Sequence, residues 1–290
     1  MATPSTPNPA RPNSIPPSRD LLQSRALALL TVLVLLAAFV SRLHLAPIPQ
    51  WWPSGLAASL VLALASWKLR AATLPAASLG ALISLCLIFG QPWAPGANNP
   101  HRNAFPALLA LVLTTQAATR FGRTRKEATG TAESRTGRRA SQIAANLAVA
   151  ALCATGNSIA GFAACLAALA EATADTVSSE VGQALSGPTW LITSARRVPP
   201  GTDGGISLLG TAAGLCAAAL VPAIIALTQP LSLTTAVSIA LAAAAGLLFD
   251  SLLGATLERK GWLGNDLVNL SSTAFAATLA YTLLRALNLQ

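Results

Sequence analysis

Apolar residues in this chain come in long runs, not in alternation. Nine such runs stand out, at about 26–40, 55–67, 71–90, 104–119, 140–154, 159–171, 206–227, 231–249 and 267–287. Runs of this length, without the two-residue alternation of barrel strands, predict membrane helices, because backbone in lipid must satisfy its own hydrogen bonds. The expected fold is therefore all-α: one polytopic helical membrane domain over 21–290 with about nine spans, after a Pro-, Ser- and Asn-rich tail at 1–20 that cannot form a core. Residues 155–158 join 140–154 to 159–171 as a hairpin, and Gln229-Pro230 turns 206–227 into 231–249. Ala174-Asp175-Thr176 and Phe249-Asp250-Ser251 each put an Asp-hydroxyl pair at the inner end of a second hairpin helix, which raises the possibility of repeated helical hairpins. Trp51 and Trp52 read as an interfacial anchor.

The first run has a basic flank and is short, so a signal peptide competes with a retained helix. No clear small-x-small cleavage site follows it directly, which favours a retained helix. A transit peptide is a further alternative for the Ser/Pro/Arg-rich tail. The expected location is an integral membrane one: the plasma (inner) membrane in a bacterium, or an organelle membrane.

Composition agrees. Hydrophobic residues make up 53% and charged residues only 10%, with a mean hydropathy of +0.57, against about 25% charged in soluble domains. The net charge of +9 would suit nucleic acid, but aromatic residues are only 5% and the basic residues flank apolar runs. The positive-inside rule explains them, so no nucleic-acid partner is expected. Cys86, Cys153, Cys165 and Cys216 all lie in apolar runs without Cys-x-x-Cys spacing, and His is limited to His44 and His101. Neither a disulfide framework nor a zinc site is indicated.

With the N-terminus inside, nine spans put the segments 120–139, 172–205 and 250–266 on one face. All ten acidic residues then gather there, as do all basic residues except Arg42, Arg102 and Arg285. Orientation does not require the acids. The segment 120–139 has seven basic and two acidic residues, which a topology signal alone would explain.

Glu171 and Asp175 are four apart and share a helix face, while Thr176 and Glu180 share a neighbouring one. Like charges at that spacing repel unless a cation or proton lies between them. Together with Asp250 and Asp266 they suit a hard cation such as Mg²⁺, which takes one or two carboxylates plus substrate phosphates. The bland alternative is a solvated helix end with scattered acids. Asn265 or Asp266 could simply cap the last helix, but Asn269 lies a turn deeper, where polar groups face a bundle interior. Gln142 and Asn146 form a similar pair, for which interhelical hydrogen bonding is the simple explanation. The stretch from Arg196 to Ser207 precedes a helix. Its Gly201, Gly204 and Gly205 would let backbone N–H groups approach an anion, Ser207 opens the helix, and Arg197 could clamp phosphate oxygens. It is not a Walker A loop.

Several segments, in order, resemble the signature regions of the domain-of-unknown-function 92 membrane proteins: RFGRTRKEA (120–128), GRRASQIAANLAVAAL (137–152), ADTVSSEVG (174–182), ITSARRVPPGTDGGISLLG (192–210), DSLLGATLE (250–258) and NDLVNLSST (265–273). The resemblance spans about 55–285 and implies a multi-spanning membrane fold. The best characterised activity of that family is nucleotide-dependent phosphorylation of an isoprenoid monophosphate, as in phytyl-phosphate kinase. It implies functional roles for Asn146, Asp175, Glu180, Arg197, Gly201, Gly204, Gly205, Ser207, Asp250, Asp266 and Asn269. Val177 stands where many relatives have Trp, and Asp203 where Asn is commoner.

The resulting expectation is a Mg²⁺-dependent lipid-phosphate kinase. Asp175, Asp250 and Asp266 would be catalytic and, with Glu180, metal-binding. Arg197, the glycines, Ser207, Asn146 and Asn269 would bind phosphate. The partners are the bilayer, a nucleoside triphosphate co-substrate and a phytyl-like lipid phosphate. Nucleotidyl transfer to a lipid phosphate, or non-catalytic transport and lipid handling, are the alternatives.

Overall fold

The computed structural model describes residues 15–45, 50–89, 103–133, 135–156, 158–185 and 187–287. The tail to residue 14, most of the 91–103 loop with His101, and the turn residue Asn157 lie outside them. Each of the nine apolar runs is helical: α1 (Pro17–Leu45), α2 (Trp52–Lys68), α3 (Leu74–Phe89), α4 (Phe105–Arg120), α6 (Ala140–Ala154), α7 (Ile159–Leu185), α8 (Leu208–Thr228), α9 (Leu233–Leu253) and α10 (Asn265–Ala286). A short α5 (Arg123–Ala128) follows α4. Five helices among the described residues, α1, α7, α8, α10 and α9 with its continuation to Glu258, are long and apolar enough to cross a membrane; α3 and α6 are apolar but shorter. α1 starts at Pro17, inside the stretch expected to be tail.

Helix α7 is the axis of the bundle. It packs on α4, α6, α8, α9 and α10, and 83% of its apolar window is buried, against 39% for α8, α9 and α10. Its sequence makes this possible. Ala163, Ala164, Ala167, Ala168, Ala170, Ala172 and Ala174 are all buried, and small residues let backbones approach closely. The partners supply glycines: a Cβ on Gly214 of α8 would stand 2.8 Å from Ser178 Cβ and 3.0 Å from the Ala174 carbonyl oxygen. Outward faces carry exposed leucines such as Leu208, Leu227, Leu233 and Leu241. So much apolar surface suits a lipid surround and not water.

Three segments differ from the sequence expectation. α7 runs on to Leu185, so 172–185 is helix, not loop. Residues 189–207 form a small antiparallel sheet of β1 (Thr189–Leu191), β2 (Arg197–Val198) and β3 (Gly205–Ser207), in the order β2-β1-β3. After α9 the helix widens into a π-turn, Gly254–Glu258. Trp52 is exposed, as an anchor would be, but Trp51 stacks on Phe89 with ring centroids 5.3 Å apart.

Polar contacts fix the ends of the helices. The turn at 70–73 is joined to 137–138: Arg138 N donates to Ala71 O (2.9 Å) and Thr73 N to Arg138 O (3.0 Å). Lys126 is fully buried; its ammonium donates to Ala118 O (3.2 Å), to Thr119 O (2.8 Å) and to the Glu180 carboxylate. All three donors are used, and the last turn of α4 is capped and tied to α7. On the surface, Arg135 and Arg123 hydrogen-bond Glu127 and hold its carboxyl below the ordinary range. The start of α1 docks on the 261–266 segment: Gln23 donates to Trp262 O (3.0 Å), and Ser24 Oγ donates to Asp266 Oδ2 (2.7 Å).

Lys126→Met should cost about 3–5 kcal/mol, because it strands the Glu180 carboxylate in a buried site. The double change Lys126→Met/Glu180→Leu should recover most of the loss. Denaturant unfolding of the detergent-solubilised chain measures both, and a neutral single variant would refute the pairing. Ser24→Ala should loosen α1 by about 1–3 kcal/mol through the stranded Asp266 oxygen, seen as faster hydrogen exchange confined to residues 17–30.

Candidate active site

Three parts of the chain converge on one open cleft of about 390 Å³ at one end of the bundle. Helix α7 supplies Asp175, Thr176, Ser179 and Glu180. The 200–207 segment contributes its backbone, and the end of α9 with its π-turn contributes Asp250, Ser251, Gly254 and Glu258. Asn146 of α6 and Asn265 and Asn269 of α10 complete the wall. π-turns inserted in helices recur at functional sites, and this one lies where the glycine loop approaches it closely. Gly204, at φ 72°, sits so near that an added Cβ would lie 2.3 Å from Ala255 N. Any side chain there would push the glycine loop off α9.

Most of the expected site residues meet here: Asn146, Asp175, Glu180, Gly201, Gly204, Gly205, Ser207, Asp250 and Asn269 all line the cleft. Ser207 Oγ accepts from Gly210 N (3.2 Å) and caps α8, so the glycine loop does lead into a helix N-terminus. Asn146 donates through Nδ2 to Gln142 O (2.8 Å), which leaves its carbonyl oxygen as an acceptor.

Three expected assignments change. Asp266 does not line the cleft; it is buried against α1, where Ser24 donates to it. Arg197 lies on β2, exposed and outside the cleft lining. Glu180 lines the cleft, but Lys126 takes one of its carboxylate oxygens. The reasons are local. Asp266 follows the turn onto which α1 folds, and Arg197 lies exposed on the edge strand of the small sheet.

Three residues that the sequence reading did not assign to the site lie at or beside the cleft: Glu171, Ser272 and Arg138. Glu171, placed at the end of a span by sequence, lies within α7, fully buried, and its carboxylate is close enough to Asp175 and Asp250 to repel both. Its i, i+4 spacing with Asp175 was the available signal. Ser272 of α10 stands within reach of both Glu171 and Asp250. Even so, Glu171 Oε1 and Asp250 Oδ2 are buried with no hydrogen-bond partner among the described residues. Arg138 is the only arginine or lysine of the cleft lining, and its charge reaches Asp175; within a basic segment it carried no distinguishing signal.

The cleft is strongly acidic: Glu133, Asp175, Glu180, Asp203, Asp250 and Glu258 face one Arg138. Among the described residues no three His, Cys, Asp or Glu side chains gather closely enough to hold a metal by themselves. Asp175 and Asp250, with an orphaned Asp250 oxygen, still fit a Mg²⁺ ion, which needs only one or two protein carboxylates when phosphates complete its shell.

Comparison with known proteins bears on this arrangement. An uncharacterised membrane protein of Synechocystis is 36% identical over 186 residues, covering 60% of this chain and 70% of that protein. The chloroplastic protein VTE6 of Arabidopsis thaliana is 33% identical over 180 residues, 57% of this chain and 53% of its own length. An uncharacterised membrane protein of Methanocaldococcus jannaschii is 41% identical over 112 residues, 37% of this chain and 45% of its own. No solved structure matches the chain. The family described as integral membrane protein DUF92 matches residues 57–277, which hold every cleft residue named above, and the chain belongs to that family.

Proposed function

We propose that the protein is a phosphotransferase of the membrane, moving a phosphoryl group from a nucleoside triphosphate to an isoprenoid monophosphate. The observation that carries this reading is the meeting of the glycine loop at the start of α8 with Asp175 and Asp250 in one acidic, water-open cleft. Such an acid excess repels a bare phosphate, so it suits phosphates that arrive with a divalent cation. The family resemblance points to the same reaction class. All nine apolar helices are taken as embedded, with the cleft at the cytoplasmic face or its equivalent.

Phosphoryl transfer asks mainly for positioning and charge neutralisation. Asp175 and Asp250 would hold Mg²⁺ in the cleft that Asn146 also lines, and the ion would offset phosphate charge. Backbone N–H groups of the 201–205 loop other than those of Thr202 and Gly205, which donate to Pro199 O and Thr202 O, would orient the donor together with the α8 N-terminus. An oxygen of the acceptor monophosphate attacks the γ-phosphorus. A new P–O bond forms, the bond to the β-phosphate oxygen breaks, and a nucleoside diphosphate leaves with the electron pair. An ionised acceptor phosphate needs no general base.

Asp175→Asn and Asp250→Asn should each lower turnover by about 100-fold or more, whereas Arg197→Gln should stay within about two-fold, since Arg197 lies outside the cleft lining. The measurement is diphosphate formation in proteoliposomes given Mg²⁺, each of four nucleoside triphosphates and phytyl or geranylgeranyl phosphate. Undiminished turnover in the two Asp variants would sink this site. Pyrophosphate release would indicate nucleotidyl transfer instead, and flux of lipid phosphate without nucleotide would indicate transport.

A further inference from the structure

A second hollow of about 390 Å³ adjoins the cleft, between the 69–71 turn, the end of α4 and residues 133–138. It shares Glu133 and Arg138 with the cleft, but its charge is reversed: Arg70, Arg120, Arg123, Arg135 and Arg138 face a single carboxylate, Glu133. Arg123 and Arg135 are engaged by Glu127 (3.0 and 2.8 Å). Arg70, Arg120 and Arg138 make no side-chain hydrogen bond or ion pair with any described residue. Thr119, in the same wall, has a buried Oγ1 without a hydrogen-bond partner among the described residues.

The hollow is built, not accidental. Arg70 adopts a left-handed backbone (φ 55°) that side chains seldom take. The turn it occupies is held to Gly137 and Arg138 by the backbone hydrogen bonds of Ala71 and Thr73. Strain of this kind persists only where the surroundings impose it, and it gathers at functional sites.

A third, narrow crevice of about 60 Å³ between α4 and α6 shares Ala71, Gln116 and Arg138 with this hollow. It is lined mainly by apolar side chains, among them Leu111, Val112, Ile143 and Leu147, and it too ends on Arg138. Acidic cleft, arginine hollow and apolar crevice therefore meet at one guanidinium.

We propose that the arginine hollow with its crevice is the binding site for the acceptor, a lipid monophosphate. The phosphate sits among Arg70, Arg120, Arg138 and the Thr119 hydroxyl, and the first carbons of the tail enter the crevice. Guanidinium groups match phosphate oxygens with paired donors. Two phosphates must meet for transfer; the carboxylates receive the one that comes with metal, and the arginines receive the one that comes without. Arg138 lies between them, where an acceptor oxygen would face the donor. This assignment of acceptor to hollow rests on the phosphotransferase reading; the binding itself does not.

The test is calorimetric titration of the full chain in phosphatidylcholine nanodiscs, without nucleotide or Mg²⁺, using farnesyl monophosphate, farnesol and inorganic phosphate as probes. Farnesyl monophosphate should bind at least ten-fold tighter than either of the others. Arg70→Gln/Arg120→Gln should weaken it at least ten-fold, as should the single Arg120→Gln by a smaller factor if the double variant is unstable. Val112→Phe, which fills the crevice, should weaken farnesyl monophosphate while leaving inorganic phosphate within two-fold. The control Arg196→Gln/Arg197→Gln should change nothing beyond two-fold. Equal loss in that control, indifference to Arg70 and Arg120, or displacement of phosphate by nucleoside triphosphate but not by farnesyl monophosphate would each overturn the assignment. Asp250→Asn should keep this metal-free binding. Intact binding without transfer in the wild type would defeat the phosphotransferase reading alone, and transfer that ignores Arg70 and Arg120 would defeat the acceptor site alone.

Discussion

The structure depends on bringing carboxylates deep into an apolar bundle on one central helix. Glu171 is 1% exposed and has Asp175 and Asp250 for neighbours. Charge at such depth is costly unless it is paired, hydrogen-bonded or neutralised. The surrounding helices accordingly close on it without leaving a gap. Gly246 of α9 fits over it so tightly that an added Cβ would stand 2.6 Å from Glu171 Cγ and 2.9 Å from Ala276 Cβ of α10. Three helices meet where only hydrogen fits. The alanine-rich core of α7 and the glycines facing it follow from the same need, since small residues allow polar backbone and side chains to be enclosed on every side.

Enclosure also separates charges that would otherwise cancel. Acids line the cleft from α7, α9 and its π-turn; the arginines of the hollow come from the α2–α3 turn, the end of α4 and the segment before α6. Only Arg138 and Glu133 belong to both. Mixing the two sets in one cavity would have produced internal ion pairs and a closed, inert interface. Kept apart, the two sets give adjoining cavities of opposite sign, and the glycine loop packs directly against Ala255 at the edge of the acidic one.

The helical bundle was legible because each apolar run is bounded by charge, Pro or Gly, and lipid leaves a backbone no alternative to the helix. The cleft was legible in part, because carboxylates, amides and glycines at span ends have few other uses. What escaped depends on contacts between distant segments. Nothing near Asp266 in sequence announces Ser24, some 240 residues away, as its partner. Arg197 read as a phosphate clamp because the 189–207 sheet, which turns it outward, has strands of two or three residues, too short to leave a pattern. Glu171 read as a terminus because the polar stretch after it resembles a loop. In fact Thr176, Ser179 and Glu180 are polar because they face a cavity, and α7 continues through them.

The basic segment 120–139 illustrates how an orientation signal can do more. A bias toward one face needs only charge on that face; it does not specify where each residue points. Here the positions are specific. Lys126 closes the last carbonyls of α4 and neutralises Glu180. Arg125 reaches the final carbonyls of α7 at Ala184 and Leu185 (3.4 and 3.5 Å), where a cation complements the helix dipole. Arg123 and Arg135 close on Glu127. With those four committed to holding α4, α5 and α7 in place, three remain: Arg139 at the N-cap of α6, and Arg120 and Arg138, which line the hollow. Charges required only for orientation would be free to wave in water. Those four are fixed, and two of the remaining three line one hollow.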